Sequence, residues 1–169
     1  MTNTPDSRLR LRAAAIVGGA ALALAVACAN PAAGPSGGST DPLTATYDSS
    51  LHIDISTYQV TTNGVFTKDS TVGGGNVVNT GKTVTLRYVG RLTDGTIFDQ
   101  DTATGSTALT FTVGAGTVIP GFDEGLLGMR AGGKRVLIIP PKLGYGNVPR
   151  AGIPANSILI FSITSLTSN

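Results

Sequence analysis

The chain has 169 residues, with 23 glycines, five Phe and no Trp. That length allows one domain plus extras, and the composition, with short runs of Val, Ile and Thr, suits a small β-rich domain with many turns. The 12 Lys and Arg exceed the 10 Asp and Glu, but Arg8, Arg10, Arg12 and Asp6 all precede residue 28, so nine basic residues then face nine acidic ones and nothing electrostatic points to nucleic acid.

Arg8, Arg10 and Arg12 lead into an uncharged run from Ala13 to Ala27. A basic stretch followed by such a run reads as a signal peptide over 1–27, and the run is shorter than the ~20 apolar residues of an ordinary spanning helix. Cys28 follows small residues in LALAVACAN. The pattern resembles a bacterial lipoprotein signal, in which the Cys is lipidated and becomes the new N-terminus. Ala25 stands where such signals usually carry Leu, and Ala25-Val26-Ala27 also satisfies the ordinary A-x-A cleavage rule. Lipidation of Cys28 is the favoured reading, with simple secretion and an uncleaved anchor as alternatives. An extracytoplasmic protein, tethered to a membrane through Cys28 or else secreted or periplasmic, is therefore expected. No Arg-Arg pair suggests twin-arginine export. As the only cysteine, Cys28 excludes an internal disulfide. Residues 28–50, rich in Pro, Gly, Ser, Thr and Ala, read as a flexible tether.

The domain is expected over 51–169. LHIDI alternates apolar and polar residues and predicts a strand. In TYQVTTNGVFTKD, Asn63-Gly64 sits between two strand-like arms, a strong hairpin signal because both positions tolerate positive φ. The glycines of TVGGGNVVNTG read as a turn, since a phosphate-cradling loop needs a P-loop Lys with Ser/Thr or a following helix. KTVTLRYVGRL is the clearest strand, with Val84, Leu86 and Tyr88 on one face and Thr83, Thr85 and Arg87 on the other. TIFD continues the meander after the Asp94-Gly95 turn, and ALTFTVG alternates Leu109, Phe111 and Val113.

VIPGFDEGLLGM follows. Pro120 and Gly121 stop the preceding strand, and Asp123 and Glu124 favour the positive end of a short helix. Phe122, Leu126 and Met129 recur at helical spacing and face inward. A helix this short is marginal alone, so something must hold it. KRVLIIPP and SILIFSITSL lack strict alternation and read as central strands. The expected architecture is α+β: a twisted antiparallel sheet of five to six strands with one short helix across one face.

Bond-cleaving chemistry lacks its usual parts. The only Cys lies in the export signal, and the only His, His52, precedes the core strands. No H-E-x-x-H, C-x-x-C or G-x-S-x-G occurs, and no metal site or cofactor is indicated. Asp123 and Glu124 could suggest an acid pair, but adjacent helix residues do not face each other. An activity here would use neither a proton shuttle nor a covalent step.

VTLRYVGRLTDGTIFD, FTVGAGTVIPGFDEGLLGMRAGGKRVLIIPPKLGYG and IPANSILIFSI together resemble the FKBP-type peptidyl-prolyl cis/trans isomerases, in order, from roughly Ser56 to Leu166. The resemblance implies a twisted antiparallel sheet wrapped around a short helix. It also implies an apolar pocket with Phe122 as its floor and Tyr88, Phe98, Asp99, Val118, Ile119, Tyr145, Ile153 and Phe161 around it. Leu109 adds to the substrate-binding set, whereas Phe111, Leu126 and Ile138 read as core. By the same resemblance Asp99, Tyr145 and the backbone N–H of Ile119 are the catalytic groups. Many members carry Trp where Phe122 stands and Phe where Leu109 stands. The loop GNVPRAGIPANS is slightly short, with Pro154-Ala155 where Pro-Pro is common. Both changes remove aromatic area from the pocket and imply weak macrolide binding at most. No inserted chaperone domain fits.

The implied function is isomerisation of X-Pro amides during folding of exported proteins. The implied partners are X-Pro segments of unfolded chains, engaged by a monomer. The alternatives are a non-catalytic module that grips Pro-containing segments of a partner, and a spacer domain on a lipoprotein.

Overall fold

The computed structural model describes residues 39–102 and 108–168. The signal peptide expected over 1–27, Cys28 and the first part of the tether lie outside the described residues. In chain order the elements are β1 (Gln59–Val60), β2 (Phe66–Thr71), β3 (Thr83–Arg91), β4 (Ile97–Asp101), β5 (Leu109–Thr112), α1 (Pro120–Leu126), β6 (Lys134–Ile139) and β7 (Leu159–Ser168). Short 3-10 turns lie at Ser49–Leu51, Ile55–Thr57 and Pro141–Leu143. None of the described helices is long and apolar enough to cross a membrane.

All strands join one antiparallel sheet of seven, with the order β1-β2-β6-β7-β3-β4 and β5 also on β3. β3 can hold three partners because it is long. β7 runs along one side, while β5 pairs with Thr83 to Leu86 and β4 with Tyr88 to Arg91 on the other. The count exceeds the expected five to six because the Asn63-Gly64 hairpin contributes β1, an arm of 2 residues. Gly64 takes φ +98, as the turn requires.

The β3–β7 register slips between Arg87, opposite Ser165, and Tyr88, opposite Ile163. The extra residue, Thr164, makes a bulge, a device that re-aims side chains beside binding sites. It lies next to Tyr88.

Successive strand residues point to opposite faces, and β6 shows both faces buried. Leu137 and Ile139 belong to one core with Val84, Leu86, Phe122, Leu126 and Met129. Ile138 belongs to a second core on the other face, with Phe66, Ile158 and Ile160. This explains the unbroken apolar runs of β6 and β7.

The helix lies on the first core. Gly121 and Gly125 let it sit close to β6: a Cβ would fall 2.3 Å from Ile139 and 2.8 Å from Leu137. Three polar links hold it. The Gly114 N–H donates to Asp123 at 3.0 Å. Glu124 accepts from the backbone N–H and the side-chain amide of Asn63 at 3.2 and 2.9 Å. Arg135 donates to the carbonyls of Gly125 and Leu127 at 2.9 and 3.0 Å while gripping Asp69 with two parallel bonds. Arg135 thus satisfies helix-end carbonyls that lack an intrahelical partner. Asp123 and Glu124 serve separate loops, as their adjacency on a helix demands.

Two expectations over 28–58 need correction. LHIDI is not a strand. Its alternation survives in burial, with Leu51, Ile53 and Ile55 half-buried and His52 and Asp54 exposed. Yet Asp48 and Asp54 accept from the N–H groups of Ser50 and Ser56, which folds the backbone into local turns. Such Asx contacts compete with ladder bonds. The tether also stops short of Ser50. Ala45 and Tyr47 pack on the second core with Leu51, Ile53, Ile55 and Tyr58, and the Tyr47 hydroxyl donates to the Pro42 carbonyl at 2.8 Å. Composition suggested mobility, but the second face of a two-sided sheet must be covered, and this segment covers it.

Candidate functional site

Phe122 anchors the site from the first turn of α1. Only 3% of it is exposed. Its ring meets Phe161 of β7 edge-on at 4.9 Å, Tyr88 of β3 at 6.0 Å and Phe111 of β5 at 6.0 Å. These are the separations at which aromatic pairs attract. The result is a rigid apolar floor made from three strands and a helix.

A cleft of about 560 Å³ opens above it, within the size range of small-ligand sites. Tyr88, Asp99, Leu109, Val118, Ile119, Phe122, Tyr145 and Phe161 all line it. Two expected members do not. Phe98 packs edge-on against Phe161 at 5.5 Å. It fits there because Gly90 lacks a Cβ, which would lie 2.7 Å from the Phe98 ring. Ile153 is only 6% exposed and belongs to the core. Its backbone exchanges two bonds of 2.9 Å with Arg150, and the buried Ile153 side chain forms the foot of the short loop.

Sequence reasoning missed Thr117, Pro120, Gly144, Val148 and Arg150, which also line the cleft. The Arg150 guanidinium lies 5.5 Å from the centre of the Tyr145 ring. The available signal was a cation five residues past an aromatic in a short closed loop.

Several polar groups border this apolar space. The Tyr88 hydroxyl donates to Asp99 Oδ2 at 2.6 Å, so the carboxylate is held in a fixed direction. Burial first, then that hydrogen bond and the charges of Asp99 and Asp101, push the Tyr88 phenol well above its ordinary pKa. It therefore remains a donor at neutral pH. The backbone N–H of Ile119, the residue capping α1, has no acceptor among the described residues. The Tyr145 hydroxyl likewise has no hydrogen-bond partner among them. Two unspent donors beside an apolar floor are suited to carbonyl oxygens.

Among the described residues no three His, Cys, Asp or Glu side chains gather closely enough to hold a metal ion. A second hollow, of about 490 Å³, lies between Tyr47, Asp94 and Asn156 and shares no lining residue with the aromatic cleft.

Comparison with known proteins places this geometry. Residues 74–166 match the family described as FKBP-type peptidyl-prolyl cis-trans isomerase. The chain is 44% identical over 115 residues to FK506-binding protein 4 of Mycosarcoma maydis, covering 66% of this chain and 30% of that protein. It is 46% identical over 100 residues to FK506-binding protein 3 of Candida albicans, covering 59% and 23%. The chain thus spans under a third of the length of these relatives. Among solved structures, AtFKBP13 superposes with a TM-score of 0.58 at 36% identity, covering 64% of this chain and 95% of that one. FkpA from Escherichia coli superposes with a TM-score of 0.61 at 33% identity, covering 72% and 55%.

Proposed function

The chain belongs to the FKBP-type peptidyl-prolyl cis-trans isomerase family, and on that premise we propose that its aromatic cleft catalyses rotation about X-Pro amide bonds. The observation that carries this reading is the pair of unspent donors, Ile119 N–H and Tyr145 hydroxyl, beside the Phe122 floor and the fixed Asp99 carboxylate.

The reaction needs no bond cleavage. The rotational barrier is ~18–20 kcal/mol because nitrogen shares its lone pair with the carbonyl. Twisting ends that sharing and reduces the charge separation, so an apolar cleft opposes the planar amide more than the twisted one. The proline ring rests on Phe122 against Tyr88 and Phe161, with Phe98 backing Phe161. Leu109 and Val118 complete the apolar wall. The two donors hold peptide carbonyls, and Asp99, aimed by Tyr88, faces the twisting carbonyl carbon. Each tenfold of rate requires only ~1.4 kcal/mol of differential stabilisation, so such contacts suffice.

The test is cis/trans exchange in a series of X-Pro peptides with and without the purified protein. Acceleration is expected for at least part of the series. A folded protein that binds these peptides and leaves every exchange rate unchanged would instead be a binding module for Pro-containing segments. The smaller aromatic area of the cleft, with Phe122 and Leu109 where many family members carry Trp and Phe, predicts weak macrolide binding.

The substrates we propose are unfolded exported proteins, because Arg8 to Cys28 reads as an export signal and Cys28 as a lipid attachment point. Two or more acyl chains would anchor the protein firmly, at ~0.8 kcal/mol per buried CH₂. Intact mass of the mature protein tests this. A lipid adduct at Cys28, lost with membrane association in Cys28→Ser, is expected. An unmodified N-terminus at Cys28, Ala29 or Asn30 would mark a secreted protein.

A further inference from the structure

We propose that Arg150 selects substrates carrying a carboxylate on one flank of the proline, a specificity that rests on the isomerase reading above. Arg150 lines the cleft on the side of Tyr145, and its guanidinium lies 5.5 Å from the centre of that ring. Among the described residues it makes no ion pair; the two ion pairs present join Arg87 to Asp101 and Arg135 to Asp69. Among the described residues that line the cleft it is the only cation, and Asp99 is the only anion. Asp99 already receives the Tyr88 hydroxyl at 2.6 Å, whereas Arg150 has only the face of an aromatic ring.

The backbone around Arg150 is fixed although its side chain is exposed. Arg150 and Ile153 exchange backbone bonds of 2.9 Å each way. Asn156 N–H donates to the Gly146 carbonyl at 2.8 Å, and Val148 N–H donates to the Tyr145 carbonyl at 3.2 Å. Ile153 plugs the loop into the core, and Pro149 restricts φ just before Arg150. A guanidinium held over a ring and carried by a closed loop loses less side-chain freedom on meeting a carboxylate than a free Lys or Arg would. Its planar fork also matches a carboxylate with two parallel bonds. Tyr145 presents its unspent hydroxyl to the same part of the cleft. A peptide carbonyl held there brings the neighbouring side chain within reach of Arg150. The exposed, apolar Val148 beside it offers a neutral side chain no competing polar contact.

The experiment compares kcat/KM for matched peptides carrying Glu, Gln or Lys immediately before proline, and a second set carrying them immediately after. An exposed charge pair is worth about two- to fivefold. On one flank the protein is expected to favour Glu over Gln by that factor and Glu over Lys by more. The Glu/Gln ratio should fall toward unity in Arg150→Ala and be retained only in part in Arg150→Lys, which keeps the charge but loses the fork. It should reverse toward Lys in Arg150→Glu, and shrink with added salt as exposed charges are screened. Equal Glu/Gln ratios in the native protein and Arg150→Ala on both flanks would overturn the inference while leaving the isomerase reading intact. If no peptide is turned over, titration of the same peptides gives the same ratios as Kd. Selectivity in binding without turnover then supports the role of Arg150 and removes the isomerase reading, whereas no binding at all removes both.

Discussion

Tyr88 and Asp99 are diagonal neighbours across the β3–β4 ladder, where Tyr88 pairs with Asp101 and Gly90 with Asp99. Their side chains close this diagonal with a 2.6 Å hydrogen bond. The exposed carboxylate is thereby held by a half-buried phenol that itself packs on Phe122 and Phe161. Aim of the acid and rigidity of the floor are linked through one residue. Asp99→Ala is expected to slow X-Pro exchange about tenfold, a ~1.4 kcal/mol effect, and Tyr88→Phe to slow it less. Asp94, whose carboxylate accepts the Thr96 N–H at 2.9 Å in a turn, serves as control. Equal activities in Asp99→Ala and Asp94→Ala would remove Asp99 from the site.

Phe122→Trp tests the floor. The larger ring adds apolar contact worth ~1 kcal/mol at ~25 cal/mol per Å², so macrolide-type ligands should bind about fivefold tighter. Calorimetric titration of the folded variant checks this. Weaker binding would show that the ring is an overpacked core residue rather than a floor.

Arg135→Ala should destabilise the domain by about 3 kcal/mol, because it leaves Asp69 and two helix-end carbonyls without their donor. Urea denaturation measures the loss. A change below about 0.5 kcal/mol, the usual range of surface substitutions, would place helix anchoring elsewhere.

Removal of residues 39–50 strips Ala45 and Tyr47 from the second core and opens the face carrying Ile138 and Ile160. A chain starting at Leu51 is expected to unfold at lower denaturant than one starting at Ser39. Its exchange activity per folded molecule should be retained, since the cleft lies on the other core. Identical unfolding midpoints would return 39–50 to the role of a tether.

Stability should fall at both ends of the pH scale, for opposite reasons. Burial raises the pKa of Glu124, but hydrogen bonds from Thr61 and Asn63 and the charge of Lys142 outweigh it and hold the pKa below the ordinary 4.5. The unfolded chain then binds the proton more readily, so this contribution is present above pH 4.5 and is lost as pH falls through the folded value. Glu124→Gln should flatten the acid limb. Burial, aided by Tyr58 and Asp41, pushes the Tyr47 phenol up to about 12. Here the folded chain keeps the proton, so stability is full below pH 10 and is lost as pH rises toward 12. Unfolding midpoints across pH check both limbs, and an unchanged acid limb in Glu124→Gln would exclude the Asn63 contact as its source.

Pattern in the chain specified those features that depend on neighbours in sequence. The alternation of VTLRYVGR made β3, Asn63-Gly64 made a hairpin, and Pro120 with Asp123 began a short helix. The spaced motifs also pointed to the cleft residues from Tyr88 to Phe161. Period 2 in LHIDI was equally clear, yet it produced no strand, because alternation reports which side chains are buried and not what the backbone bonds to. Asp48 and Asp54 settled that locally, and the bare face of β6 and β7 settled where the segment lies.

The remaining features arise from meetings between distant residues, which no local pattern encodes. Arg135 is in sequence only the second letter of the strand run KRVLIIPP, but the sheet brings it to Asp69 and to the end of α1. Phe98 carries the motif of a pocket wall, but the missing Cβ at Gly90 lets its ring pack against Gly90 and Phe161. Ile153 turns into the core because its loop closes on Arg150, and that same closure holds Arg150 at the cleft rim. Burial periodicity and turn chemistry are short-range and legible in a string of letters; which side chain fills which space depends on packing between elements, and that is decided where the elements meet.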